Sequence, residues 1–105
     1  MGAILDVIHK IRERPGIILG RPSARSLYAF LSGFAYARKE GNSGDYDFLA
    51  DFNKWVHERY AVSSTQGWAK IIEFYSMTEE DELTLFWKLF DEFVTQRELG
   101  QKKVS

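Results

Sequence analysis

Thr78-Glu-Glu-Asp-Glu-Leu-Thr-Leu-Phe-Trp-Lys-Leu-Phe-Asp-Glu-Phe-Val-Thr-Gln-Arg-Glu98 is the stretch whose reading decides the fold. At about 100° per residue, Leu83, Phe86, Trp87, Phe90, Phe93 and Val94 share one helical face. Leu85 and Leu89 widen that face to an apolar arc of roughly 200°, more than a surface helix normally carries. Thr84, Lys88, Asp91, Glu92 and Thr95 remain as a narrow polar strip. Thr78 is placed to cap the helix, and Glu79, Glu80, Asp81 and Glu82 put negative charge at the positive end of its dipole. A helix apolar over half its circumference belongs in the middle of a bundle.

Around it, 105 residues provide one domain and one core. An apolar content of 45%, with 15% aromatics, excludes a disordered chain and predicts a core rich in rings. The chain has no cysteine, so there is no disulfide frame, thiolate metal site or thiol nucleophile. Ile4–Ile8 is too short and too interrupted for a signal peptide, and no run approaches the ~18 apolar residues of a membrane span. These features lead to the expectation of a cytoplasmic protein that does not enter a membrane.

Upstream, residues 2–13 read as a helix with Ile4, Leu5, Val7, Ile8 and Ile11 on one face. Pro15-Gly16 ends it, and Ile17-Ile18-Leu19 reads as a loop plugging its side chains into the bundle end. The segment is equally suited to core or interface. Pro22-Ser23 opens a second long helix to about Glu40, with Ser23 as N-cap and Gly41 as stop. Its main stripe is Leu27, Phe30, Leu31 and Phe34. Ala29, Gly33 and Ala37 form a ridge of small residues that invites close approach by another helix. Gly41–Asp45 is a flexible connection. Residues 46–60 form a third helix with Phe48, Leu49, Phe52, Trp55 and Val56 inward and His57 outward. Ser63 and Gln66 spell a capping box for a fourth, carrying Trp68, Ile71, Ile72 and Tyr75. The expected fold is all-α: a single-domain bundle of about five helices over residues 1–99, with a Pro-Gly loop after the first and a frayed polar tail at 100–105.

Charge is uneven along the chain. Residues 1–39 hold seven Lys/Arg against two acids, net +5, and residues 40–105 hold seven against thirteen, net −6. Either the two parts fold together and cancel, or the surface has two signs and its acidic side meets a basic partner. No chemistry is spelled out. His9 and His57 lie on different helices, and no zinc-protease pattern or nucleophile elbow accompanies them. Neighbouring carboxylates on one helical turn diverge and make no acid/base pair. No catalytic residue, metal ligand or cofactor is therefore assigned, and the chain does not read as an enzyme. Nucleic-acid binding by Arg12, Arg14, Arg21 and Arg25 is the alternative, disfavoured because no helix–turn–helix spacing or stacking platform goes with them.

Five segments together carry a family resemblance. They are Arg14-Pro15-Gly16-x-x-Leu19-Gly20, Leu27-x-x-Phe30-Leu31-x-Gly33-Phe34, Phe48-x-x-x-Phe52-x-x-Trp55-Val56, Gly67-Trp68-x-x-Ile71-Ile72 and Phe86-x-x-Leu89-x-x-Glu92-Phe93. Over residues 8–94 the chain resembles small helical bacterial proteins found as immunity proteins in toxin–immunity systems such as contact-dependent growth inhibition. The resemblance implies stoichiometric blocking of a cognate toxin domain, many of which are nucleases with a basic cleft. On that expectation the toxin-binding surface comprises Glu79, Glu80, Asp81, Glu82, Asp91 and Glu92, with Tyr75 as an anchor.

Overall fold

The structure is a computed structural model describing residues 3–38, 44–63 and 65–104. These residues contain six α-helices and no strand: α1 (Ala3–Glu13), α2 (Pro15–Leu19), α3 (Ala24–Ala37), α4 (Asp45–Arg59), α5 (Trp68–Phe74) and α6 (Glu79–Val104). As the sequence implies, α6 puts a long apolar face into the core, with Leu83, Phe86, Leu89, Phe90 and Phe93 buried. The Thr78 hydroxyl accepts the Asp81 N–H at 3.1 Å and so caps the helix. Downstream, the helix continues through Gly100 to Val104, past the end near Glu98 that the charge pattern suggested.

Rings fill the space around α6. Phe52 of α4 meets Trp68, Phe86 and Phe93 edge to face, at centroid distances of 5.5, 5.6 and 5.3 Å. Each such contact adds about 0.5–1.5 kcal/mol beyond the area it buries. Ile4, Ile8 and Ile11 of α1 and Leu27 and Leu31 of α3 close the other side of the core.

The Pro-Gly segment departs from expectation. It is a one-turn helix, α2, rather than a loop. Proline suits the first helical position because its fixed φ is already helical and it has no N–H to leave unpaired. Gly20, at φ 74°, then stops the turn and donates its N–H to the Gly16 carbonyl at 3.0 Å. Only Leu19 packs against the core, while Ile17 is 77% exposed and Ile18 36%. The isoleucines plug nothing.

α3 also presents a different face. Ser23 caps it as expected, its Oγ accepting the Ser26 N–H at 3.2 Å. The buried stripe is Ala24, Leu27, Leu31 and Ala35, however. Phe30 sits about 100° away from Leu31 on the helix and faces outward. Ala29, Gly33 and Ala37 are exposed too, and a Cβ built on Gly33 meets nothing within 4 Å. Among the described residues no helix rests on that ridge at Gly33. The described helix ends at Ala37; the expected end near Glu40 and the stop at Gly41 lie outside the described residues.

Two side chains link elements distant in sequence. Asp45, which the sequence places at the end of the Gly41–Asp45 connection, is fully buried and opens α4. Its carboxylate accepts the Ile4 N–H at 3.3 Å and the Arg38 Nε–H at 2.8 Å, tying the start of α1 to the α3–α4 junction. Asn53 performs the capping expected of Ser63 and Gln66. Its Oδ1 accepts the Trp68 N–H at 2.8 Å, and α5 begins only at Trp68. Gly67 is needed here, because a Cβ would fall 2.7 Å from the Tyr28 ring. Removing Asp45 strands the Ile4 N–H and leaves Arg38 without its buried partner. Asp45→Ala should lower unfolding free energy by about 2–4 kcal/mol, read from urea denaturation. A loss under 1 kcal/mol would contradict the role assigned to this carboxylate.

Candidate protein-interaction surface

The acidic first turn of α6 divides by direction. Glu79 and Glu82, about 60° apart on the helix, turn toward the start of α3. Arg21 donates to Glu79 through Nε at 2.8 and 2.9 Å, and its Nη2 closes a second bond to the same carboxylate. Glu82 Oε1 accepts the Ala24 N–H at 2.9 Å, meeting one of the free donors at the N-terminus of α3. Glu80 and Asp81 point away, are exposed, and make no ion pair among the described residues.

Farther along α6, Asp91 accepts both Arg12 amino groups at 2.9 and 2.8 Å. Arg12 also lies over the Trp87 ring at 5.1 Å. Glu92 faces Arg59 at 3.6 Å, on the α4 side. Arg25 reaches Glu73 at 3.3 Å. The basic N-terminal third is thus folded against carboxylates of α5 and α6, and the two parts of opposite charge largely cancel. Of the seven residues expected at the binding surface, Glu79, Glu82, Asp91 and Glu92 are engaged within the chain. Glu80, Asp81 and Tyr75 remain on offer.

These three belong to the elbow joining α5 to α6. Tyr75 ends α5 and stacks on Tyr60, with ring centroids 4.5 Å apart. Burial raises the Tyr60 hydroxyl above its ordinary pKa, against the opposing pull of Arg59. Beside the stacked pair, Phe74 is 80% exposed and Met77 is 95% exposed. Val62, Lys70, Ile71, Glu73, Phe74 and Tyr75 border a groove of about 530 Å³. The sequence reading included Tyr75 but missed Phe74 and Met77. The available signal was their position: Phe74 lies outside the Trp68/Ile71/Ile72/Tyr75 stripe, and Met77 lies in the Ser76–Thr78 turn.

Two other concavities carry less chemistry. One, of about 280 Å³, is formed by Arg21, Arg25, Glu73, Glu79 and Glu82, whose ion pairs already occupy one another. The second, of about 390 Å³, lies between α3 and α4 and is lined by neutral side chains, among them Tyr28, Tyr36, Tyr46 and Asn53. Among the described residues no three His, Cys, Asp or Glu side chains converge as metal ligands. His9 packs edge-on against Phe90 at 6.5 Å. His57 Nδ1 lies 2.8 Å from the Asn53 carbonyl, so the ring is half-buried rather than free. No described helix is long and apolar enough to cross a membrane. No family model, curated protein or solved structure matches this chain.

The ion pairs set a pH dependence. Hydrogen bonds from Arg21 and Arg12 hold the carboxyls of Glu79 and Asp91 below their ordinary values. A group depressed in the folded state stabilises above its unfolded pKa, and that contribution is lost as pH falls through the folded value. Stability should therefore decline below about pH 4. The drop in urea midpoint between pH 7 and pH 3 should shrink in the Arg12→Gln/Arg21→Gln double variant. High salt should shrink it too, since these pairs are exposed. An identical pH profile in the variant would remove the pairs from the stability of the fold.

Proposed function

We propose that the protein works by stoichiometric binding, as an immunity-type inhibitor that covers the active site of a cognate bacterial toxin domain in the producer's cytoplasm. A nuclease with a basic phosphate-binding cleft is the toxin class that fits best. The observation carrying this reading is the elbow: three large apolar side chains stand in solvent beside Glu80 and Asp81, whose carboxylates have no ion-pair partner in the described chain. Apolar and aromatic anchors of this kind supply most of the energy of protein interfaces, while flanking acids steer a basic partner and exclude wrong ones. The family resemblance of the Gly67-Trp68 and Phe86–Phe93 segments supports the same reading.

Nucleic-acid binding through the N-terminal third has less support. Of the four arginines this reading names, Arg12, Arg21 and Arg25 each face an in-chain carboxylate, and Arg14 alone makes no ion pair among the described residues.

The test is purification with the toxin domain encoded beside the protein's own gene, followed by association and dissociation rates. A one-to-one complex that abolishes toxin activity is expected. Phe74→Ser/Met77→Ser should weaken it by about 100-fold or more, mainly through faster dissociation. Glu80→Lys/Asp81→Lys should slow association about 10-fold at low salt and little at high salt. Because Phe74 and Met77 are exposed, the thermal midpoint of the first variant should hardly move, whereas Glu80→Lys/Asp81→Lys, which puts positive charge at the positive end of the α6 dipole, should lower it by a few degrees. Unchanged rates in both double variants would remove the elbow from the interface. A neighbouring toxin that is neither bound nor inhibited would end the proposal.

A further inference from the structure

Beyond Arg25, which reaches Glu73, the exposed side of α3 carries no charged residue. From Ser26 to Ala37 there is no Asp, Glu, Lys, Arg or His, in a chain where 28% of residues are charged. Within Ala29–Ala37 the exposed residues are Ala29, Phe30, Gly33, Tyr36 and Ala37. They read the same in both directions about Gly33: small, aromatic, glycine, aromatic, small. The four residues between them, Leu31, Ser32, Phe34 and Ala35, which turn toward the protein, break the symmetry. Relative to Gly33, Ala29 and Ala37 lie about 40° to either side, and Phe30 and Tyr36 about 60° to either side.

Glycine in mid-helix costs about 1 kcal/mol relative to alanine. Nothing inside this fold requires it at position 33, since the backbone there is ordinary helix and no atom crowds its missing Cβ. A backbone packing closely against α3 from outside the chain would use the gap it leaves.

We infer that a second copy of this chain covers this face, with the two α3 helices antiparallel about a two-fold axis at Gly33. In that arrangement Gly33 meets Gly33 of the other copy, each Phe30 lies over the other copy's Ala37, and each Tyr36 lies over its Ala29. Large meets small along the whole contact, which is the self-complementarity an isologous interface needs. Antiparallel packing also opposes the two helix dipoles. The absence of charge lets two identical faces meet without like-charge opposition, and a net charge of −1 adds little repulsion between copies. The acidic elbow could not pair with itself in this way.

A stable dimer buries about 800 Å² per partner. The uncharged stretch Ser26–Ala37, about 18 Å long, provides part of this. Ile17 and Ile18 of α2, which packs against both α1 and α3, are exposed as well. The dimer therefore belongs at the weak end of the range. The inference does not rest on toxin binding, since it uses none of the elbow residues.

The experiment is sedimentation of the purified full chain over about 10–500 µM, a range suited to a small interface. The weight-average mass should rise from 12.2 kDa toward twice that value. Gly33→Arg, placed where a side chain meets nothing within the chain, should keep its helical circular dichroism and reduce association at least ~100-fold. The chain lacks cysteine, so Gly33→Cys provides an independent readout. It should form an intermolecular disulfide on mild oxidation much faster than Lys54→Cys, an exposed control on α4. A monomer at every concentration would overturn the inference. So would a dimer indifferent to Gly33→Arg, or equal crosslinking rates for the two cysteine variants.

Discussion

The edge-to-face packing of Phe52 against Trp68, Phe86 and Phe93 is the constraint on which the rest of the molecule depends. A helix with an apolar arc near 200° cannot be covered by a single neighbour; it needs partners on several sides at once. Rings solve this because each is wide enough to touch two helices and finds a favourable geometry at a tilted approach. Phe52 thereby fixes α4 against both α5 and α6. Once those three helices are set, α1 and α3 have one groove left, and the aliphatic stripes Ile4/Ile8/Ile11 and Leu27/Leu31 fill it.

Electrostatics refines this arrangement without creating it. Exposed ion pairs of the Arg12–Asp91 and Arg21–Glu79 kind contribute little, well below what ring burial supplies. Their effect is on register. Arg21 and Arg25 grip Glu79 and Glu73 while Glu82 accepts the Ala24 N–H, and together they seat the α3 start against the α5–α6 elbow. Asp45 has a different standing. It is fully buried, and it joins the free helical N–H of Ile4 to the guanidinium of Arg38 at the far end of α3.

Features set by one helix's own periodicity were legible in the sequence: the central helix, the Ser23 and Thr78 caps, and the stripes of α1 and α4. What could not be read depends on a partner far away in the chain. Asp45 looks like any acid opening a helix until the Ile4 N–H is brought beside it. Asn53 looks like a polar gap in α4 until it caps α5, and that remote cap displaces the local Ser63–Gln66 motif. For α3, two apolar stripes were both compatible with a helical period, and only the position of α1 and α5 decides that Leu27 and Leu31 go inside and Phe30 out. The acidic turn was read correctly in composition and misread in direction, because four successive carboxylates point four ways and only two face solvent unpaired.

The outward residues also sort by charge, and this bears on what they can meet. At the elbow, apolar bulk stands next to unpaired carboxylates, so a partner must supply both a hydrophobic surface and positive charge; identical copies would repel there. On α3, twelve uncharged residues offer no electrostatic selection, so shape decides, and the shape is symmetric about a glycine that the monomer does not use. A single bundle can therefore present two faces with different partner requirements without interference. The same α6 turn that aims Glu79 and Glu82 inward to seat α3 leaves Glu80 and Asp81 pointing out at the elbow. Placing the one pair forces the direction of the other, because all four share a single helical turn.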